Sequence, residues 1–152
     1  MIDSQVLRNL KAICNRNQKP AVQVRPGGIA LFHTRFVLIE LPLVELASQL
    51  DQIDGSPAPE LVPEYDWRVQ LADERGESAR VEATSEDEWI RLRSNSFSCE
   101  IQRPCYDLVM NVCVRPDFRL TADRTPGVPA PVNVYDGKKL IGVIMPRERL
   151  KS

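Results

Sequence analysis

The sequence predicts an α+β fold, mostly antiparallel β, with one or two helices packed on antiparallel sheets. Three observations carry that reading. One amphipathic helical stretch opens the chain, the apolar residues after it recur mostly every second position, and turn signals separate the short strand-like runs. Hydrophobic residues are 43% and charged residues 27% of the 152 residues, an ordinary globular balance that can bury a core. One domain over 1–152 is the expectation at this length.

Residues 4–16 read as the first helix, with Ser4 or Asp3 as its N-cap. At about 100° per residue, Val6, Leu7, Leu10, Ile13 and Cys14 share one arc. Arg8, Lys11, Asn15, Arg16 and, if the helix reaches it, Lys19 share the other. No acid occurs between Asp3 and Glu40, so the polar face is basic. Pro20 stops the helix.

Residues 21–41 carry three strand signals. Val22 and Val24 alternate with polar neighbours, Pro26-Gly27-Gly28 is a turn signal, and residues 29–32 and 36–41 flank His33-Thr34-Arg35. An antiparallel meander packed on the first helix is expected. Residues 43–54 suit a second helix, with Leu43, Leu46, Ala47, Leu50 and Ile53 at helical spacing and Gly55 as its stop. From Phe36 to Trp67 there is no Lys or Arg, while seven acids occur: Glu40, Glu45, Asp51, Asp54, Glu60, Glu64 and Asp66. Residues 55–65, rich in proline, read as a loop.

The region 66–146 reads as almost wholly β. Residues 67–72 and 79–84 alternate, and Trp89–Arg93 and Phe97–Ile101 form a hairpin across Ser94-Asn95-Ser96. There Ile90 and Leu92 face inward opposite Phe97, Cys99 and Ile101. Leu108–Val114 is expected as a strand, and Phe118–Ala122 as another. Val132–Tyr135 and Leu140–Met145 close the fold as a hairpin over Asp136-Gly137. The last strand is continuously apolar, so it should be central and buried on both faces. Residues 147–152 form a basic tail.

Several function classes lose support. No apolar run reaches the length of a membrane helix, and no basic segment followed by an apolar stretch opens the chain, so no membrane partner and a cytoplasmic location are expected. Cys14, Cys99, Cys105 and Cys113 match no metal-binding spacing. Three of them lie on apolar sides of predicted elements; Cys105, between Pro104 and Tyr106, is expected to be the most exposed. With a single histidine, His33 at a predicted turn, no catalytic and no metal site is expected. Glu86-Asp87-Glu88 fits a solvated turn. Pro26-Gly27-Gly28-Ile29 joins strands and opens no helix, so it lacks phosphate-loop logic. No cofactor and no enzymatic activity follow.

The net charge of −1 and pI near 5.9 do not favour bulk attraction to nucleic acid. Sorted by segment, however, the charge is a basic N-terminal helix, an acidic middle and a basic tail. Arg8, Lys11, Arg16 and Lys19 on one arc suit sequence-independent phosphate contacts.

Two stretches resemble a known family. Residues 79–101 run as ARVEATSEDEWIRLRSNSFSCEI: an alternating strand, an acidic turn, a strand ending in Arg-Ser, and a Phe-Ser strand. Pro131-Val132-Asn133-Val134-Tyr135-Asp136-Gly137 leads to Val143-Ile144-Met145-Pro146-Arg147-Glu148-Arg149-Leu150, a last strand closing in Met-Pro. Both resemble the bacterial β sliding clamp, the DNA polymerase processivity ring. The resemblance implies a non-enzymatic, clamp-like domain that holds double-stranded DNA by encirclement, with Arg8, Lys11, Arg16 and Lys19 making loose phosphate contacts. It implies a homo-oligomer, because one short domain closes a ring only with further copies. It also implies a replication or other protein partner, with Met145 and Pro146 as the nearest match to the family's partner-binding region. Two departures stand against it: the acidic residues 43–54, and the lack of a legible helix between Cys99 and the final hairpin. The competing reading is a small β-rich adaptor or inhibitor, of phage or mobile-element type, with no DNA role.

Overall fold

The computed structural model describes residues 4–14, 21–25, 29–33, 37–42, 76–82, 87–122 and 130–147. The predicted helix at 43–54, the loop 55–65, the strand at 67–72 and residues 148–152 lie outside them.

The fold is α+β and dominated by antiparallel β. Among the described residues there are two helices, α1 (Ser4–Cys14) and α2 (Arg103–Val112). The strands are β1 (Ala21–Arg25), β2 (Ile29–His33), β3 (Val37–Pro42), β4 (Glu77–Ser78), β5 (Arg80–Glu82), β6 (Trp89–Arg93), β7 (Ser98–Gln102), β8 (Pro116–Leu120), β9 (Val132–Asp136) and β10 (Lys139–Ile144). A seven-stranded sheet has the order β1-β2-β3-β10-β9-β8-β4, and a three-stranded sheet the order β5-β6-β7. Neighbouring strands are antiparallel throughout.

The large sheet is built from two like halves. α1 precedes the meander β1-β2-β3, and α2 precedes the meander β8-β9-β10. The last strand of each meander pairs with the other, Ile39 opposite Gly142 and Val37 opposite Ile144. α1 and α2 pack against each other, as β3 and β10 pair in the sheet. Val6, Leu10 and Ile13 of α1 share one core with Cys105, Leu108 and Val109 of α2. Phe32, Val37, Ile39, Phe118, Val132, Val134 and Ile144 complete it from one face of the sheet. Burying such side chains is worth roughly 1.5–3 kcal/mol each, so this contact, and not helix propensity, holds two short helices in place.

β10 is central and buried on both faces, as its apolar run implies. A bulge between Leu140 and Gly142 lets consecutive apolar residues serve opposite sides. Ile141 and Ile144 join the main core, while Leu140 packs with Tyr135, Leu38 and Val143 behind the sheet. Gly142 sits where β10 meets β3: a Cβ there would lie 2.5 Å from the Leu38 carbonyl oxygen. The β9–β10 turn needs its glycine for another reason, since Gly137 has φ +63°. Its N–H donates to the Arg115 carbonyl at 2.9 Å, and Asp136 Oδ1 accepts from the Arg115 N–H at 2.8 Å.

The chain passes between sheets at Ala79. Residues 77–78 pair with β8, Ala79 N–H donates to the Phe118 carbonyl at 2.8 Å, and residues 80–82 pair with β6. Ile90 opposite Ile101 and Leu92 opposite Cys99 form the inward face expected of the β6–β7 hairpin.

One element corrects the sequence reading. Leu108–Val114 is not a strand; Arg103–Val112 is a helix, between Cys99 and the final hairpin where none was legible. Cys105, Leu108 and Val109 are its buried residues, at i, i+3 and i+4. Pro104 in the first turn suits a helix start. The run of valines hid this period, because a short apolar run reads as strand or buried helix alike. The same helix overturns the expected exposure of Cys105, which is fully buried against α1 and the sheet. The predicted strand Phe118–Ala122 is displaced to Pro116–Leu120.

Candidate nucleic-acid interface

The candidate site begins with which side of α1 faces outward. Val6, Leu10 and Ile13 are buried, so the residues a half-turn away are turned from the core. Arg8 is exposed and Lys11 half-buried, as their arc implied. Neither has an ion-pair or hydrogen-bond partner among the described residues. Lys11 lies in the last turn, where a cation is favoured by the helix dipole. Arg16 and Lys19 lie outside the described residues. Asn9 also turns toward the core, and its Nδ2 has no hydrogen-bond partner among the described residues. The amphipathic pattern gave no warning of it, since Asn is counted with the polar arc.

α2, the equivalent helix of the other half, presents different chemistry. Its outward residues are Asp107, Met110 and Asn111. Asn111 Nδ2 donates to the Asp107 carbonyl at 2.8 Å, one turn back. Met110 is 44% exposed, and Val114 just beyond the helix is 87% exposed. Arg103 opens α2, but it is turned to the β6 end, where its N–H donates to the Glu88 carbonyl at 2.9 Å and its Nε to the Asp87 carbonyl. The paired helices therefore form a layer that is basic on the α1 side only.

Met145 and Pro146 do not stand free. Met145 is half-buried and Pro146 buried. The segment is drawn onto β7: Arg147 N–H donates to the Glu100 carbonyl at 3.0 Å, and its guanidinium meets Glu100 Oε1 at 2.9 Å and lies 4.4 Å from the Trp89 ring centroid.

The remaining candidates are structural. Asp87 and Glu88 are exposed in the turn before β6, as a solvated turn requires. His33 ends β2, paired across the ladder with Ala21 and Leu38. Cys99 and Cys113 are half-buried. Burial, with the Asp136 charge adding to it, pushes the Cys113 thiol up to about 12, so it stays protonated and is a poor nucleophile. Among the described residues no three His, Cys, Asp or Glu side chains converge as a metal site, and no helix is long and apolar enough to cross a membrane.

Sequence reasoning missed one carboxylate altogether. Glu77 on β4 reaches the β6–β7 turn of the other sheet. Ser94 Oγ donates to its Oε1 at 2.7 Å, Ser96 N–H to the same oxygen at 2.8 Å, and Ser96 Oγ to Oε2 at 2.9 Å. The Ser94 bond, then those from Ser96, hold the Glu77 carboxyl below its usual pKa. No local signal marks a contact between a turn and a residue 17 or 19 positions before it.

No protein-family model, curated protein or solved structure matches this chain.

Proposed function

We propose that this protein is a non-enzymatic, sliding-clamp-like domain that associates with duplex DNA through the outward face of α1 and works as a homo-oligomer. The single observation that supports this most is the helix pair. Two helices, each leading a three-stranded meander, pack side by side on one sheet, and one of them carries an exposed Arg8 and a half-buried Lys11 on the arc away from the core. The helix at 103–112 supplies the second helix that the clamp resemblance requires and that the sequence concealed.

Loose phosphate contacts suit this purpose. Long, solvated cations exchange between phosphates without reading bases, so they hold duplex while allowing it to slide. Tight retention then comes from closure by several copies, with acidic bulk outside and a basic stripe inside keeping DNA in the hole. A reducing cytoplasm and a replication or other protein partner complete the reading.

The test compares retention on nicked circular duplex with retention after linearisation, for the native chain and for Arg8→Ala/Lys11→Ala. Encirclement predicts that linearisation releases the protein and that the double variant binds less with a flatter salt dependence. Equal retention on both DNA forms contradicts encirclement.

A second reading, a β-rich adaptor without a DNA role, is favoured by Met110 and Val114. Exposed apolar side chains at the end of α2 suit a protein contact. That reading predicts capture of one protein partner that Met110→Glu abolishes and Arg8→Ala leaves intact.

A further inference from the structure

The three-stranded sheet has an outward face whose charge the clamp reading does not use. Leu92 and Ile90 point inward, so Arg80, Glu82, Trp89, Arg91, Arg93, Ser98, Glu100 and Gln102 alternate outward. Arg147 is drawn onto the same face over Trp89. Four guanidinium groups (Arg80, Arg91, Arg93, Arg147) thus meet two carboxylates (Glu82, Glu100).

The pairings split the excess of two: one charge lies where Arg91 and Arg147 share Glu100, and the other at Arg80. Arg147 and Arg91 both reach Glu100, at 2.9 and 3.9 Å. Arg93 Nε reaches Glu82 at 2.6 Å. Arg80 has no partner among the described residues. Yet Arg80 stands directly across the ladder from Arg93, with Ser98 next in the row. Like charges opposite one another cost stability, and β5 does not recover that cost by burial, because Val81 is 46% exposed. Glu77, three residues before Arg80, has its oxygens taken up by Ser94 and Ser96. Asp87 and Glu88 lie at the opposite end of β6.

We infer that the Arg80–Arg93 row binds a phosphate of a nucleic-acid strand, a contact separate from α1. Guanidinium groups on adjacent strands offer N–H donors to one oxyanion: Arg80 its whole fork, and Arg93 the N–H groups that Glu82 does not take. The choice of phosphate over carboxylate rests on the proposed nucleic-acid association; the charge row itself does not.

The experiment follows the Arg80 and Arg93 Nε–H signals by NMR during titration of the full chain with short oligo-dT, inorganic phosphate and poly-glutamate. Oligo-dT is expected to move both signals, phosphate to move the same signals at higher concentration, and poly-glutamate to move them less. Arg80→Ala should weaken oligo-dT binding about fivefold. Arg80→Lys, which keeps the charge but loses the fork, should recover only part of it. Poly-glutamate binding as strongly as oligo-dT overturns the inference in favour of an acidic protein partner. If Arg80→Ala is silent while Arg8→Ala/Lys11→Ala abolishes binding, the inference fails and the clamp reading stands. If oligo-dT and duplex both leave the native chain unmoved, both fail.

Discussion

α1 and α2 occupy equivalent places in the two halves of the molecule and present different side chains. Each leads a three-stranded meander and buries one apolar stripe in the shared core. Outward, α1 offers Arg8 and Lys11, and α2 offers Asp107, Met110 and Asn111. The inward faces answer to one packing problem; the outward faces are free of it and differ. A binding function built on this layer is therefore one-sided, and the fold alone does not specify it.

The largest expected effects break the shared inner face. Leu10→Ala and Leu108→Ala each remove a fully buried side chain and should cost about 3 kcal/mol in denaturant unfolding. If both helices serve one core, the double variant departs from additivity; strictly additive losses would mean two separate cores.

The outer faces are tested next. Arg8→Ala/Lys11→Ala should lower the slope of log affinity against log salt by about 2, read by fluorescence anisotropy on duplex. Asp107→Lys/Asn111→Lys, which gives α2 the charge of α1, should strengthen retention and steepen the slope. A silent α2 variant would place duplex away from the helix layer.

Asn9 sharpens the comparison from within. It is a buried amide on α1 where α2 carries only apolar side chains and a thiol. Asn9→Leu should stabilise the fold by about 1 kcal/mol, since an unsatisfied buried donor is replaced by apolar packing. A loss of stability would show that the amide is satisfied.

The smallest effect concerns the link between the sheets. Glu77 is a stronger acid in the folded chain than in the unfolded one, so its contribution is present above the unfolded carboxylate pKa and is lost as pH falls through the folded value. Native protein should lose its advantage over Glu77→Gln on acidification below about pH 4.5. A constant difference between the two would contradict the hydrogen-bonded carboxylate.

Much of this was legible before the fold was known, and the failures share a cause. The α1 stripe, the β1–β2–β3 meander, the β6–β7 hairpin and the two-sided burial of β10 follow from local period and turn chemistry. α2 was misread because Leu108–Val114 is short, apolar and rich in valine, and its helical period shows only once Cys105 is counted as apolar. The exposure expected of Cys105 failed with it. Arg8 and Lys11 were legible as a basic arc because charge on a helix face is a local pattern. The Glu77 link and the Arg80–Arg93 row were not, because both depend on register between segments that sequence alone does not align.

The most direct measurement of the central claim is absolute mass in solution, with and without nicked circular duplex. A clamp-like domain predicts an oligomer of defined size that shifts onto the circle and is released by linearisation. A monomer that ignores the circle at low salt would contradict it.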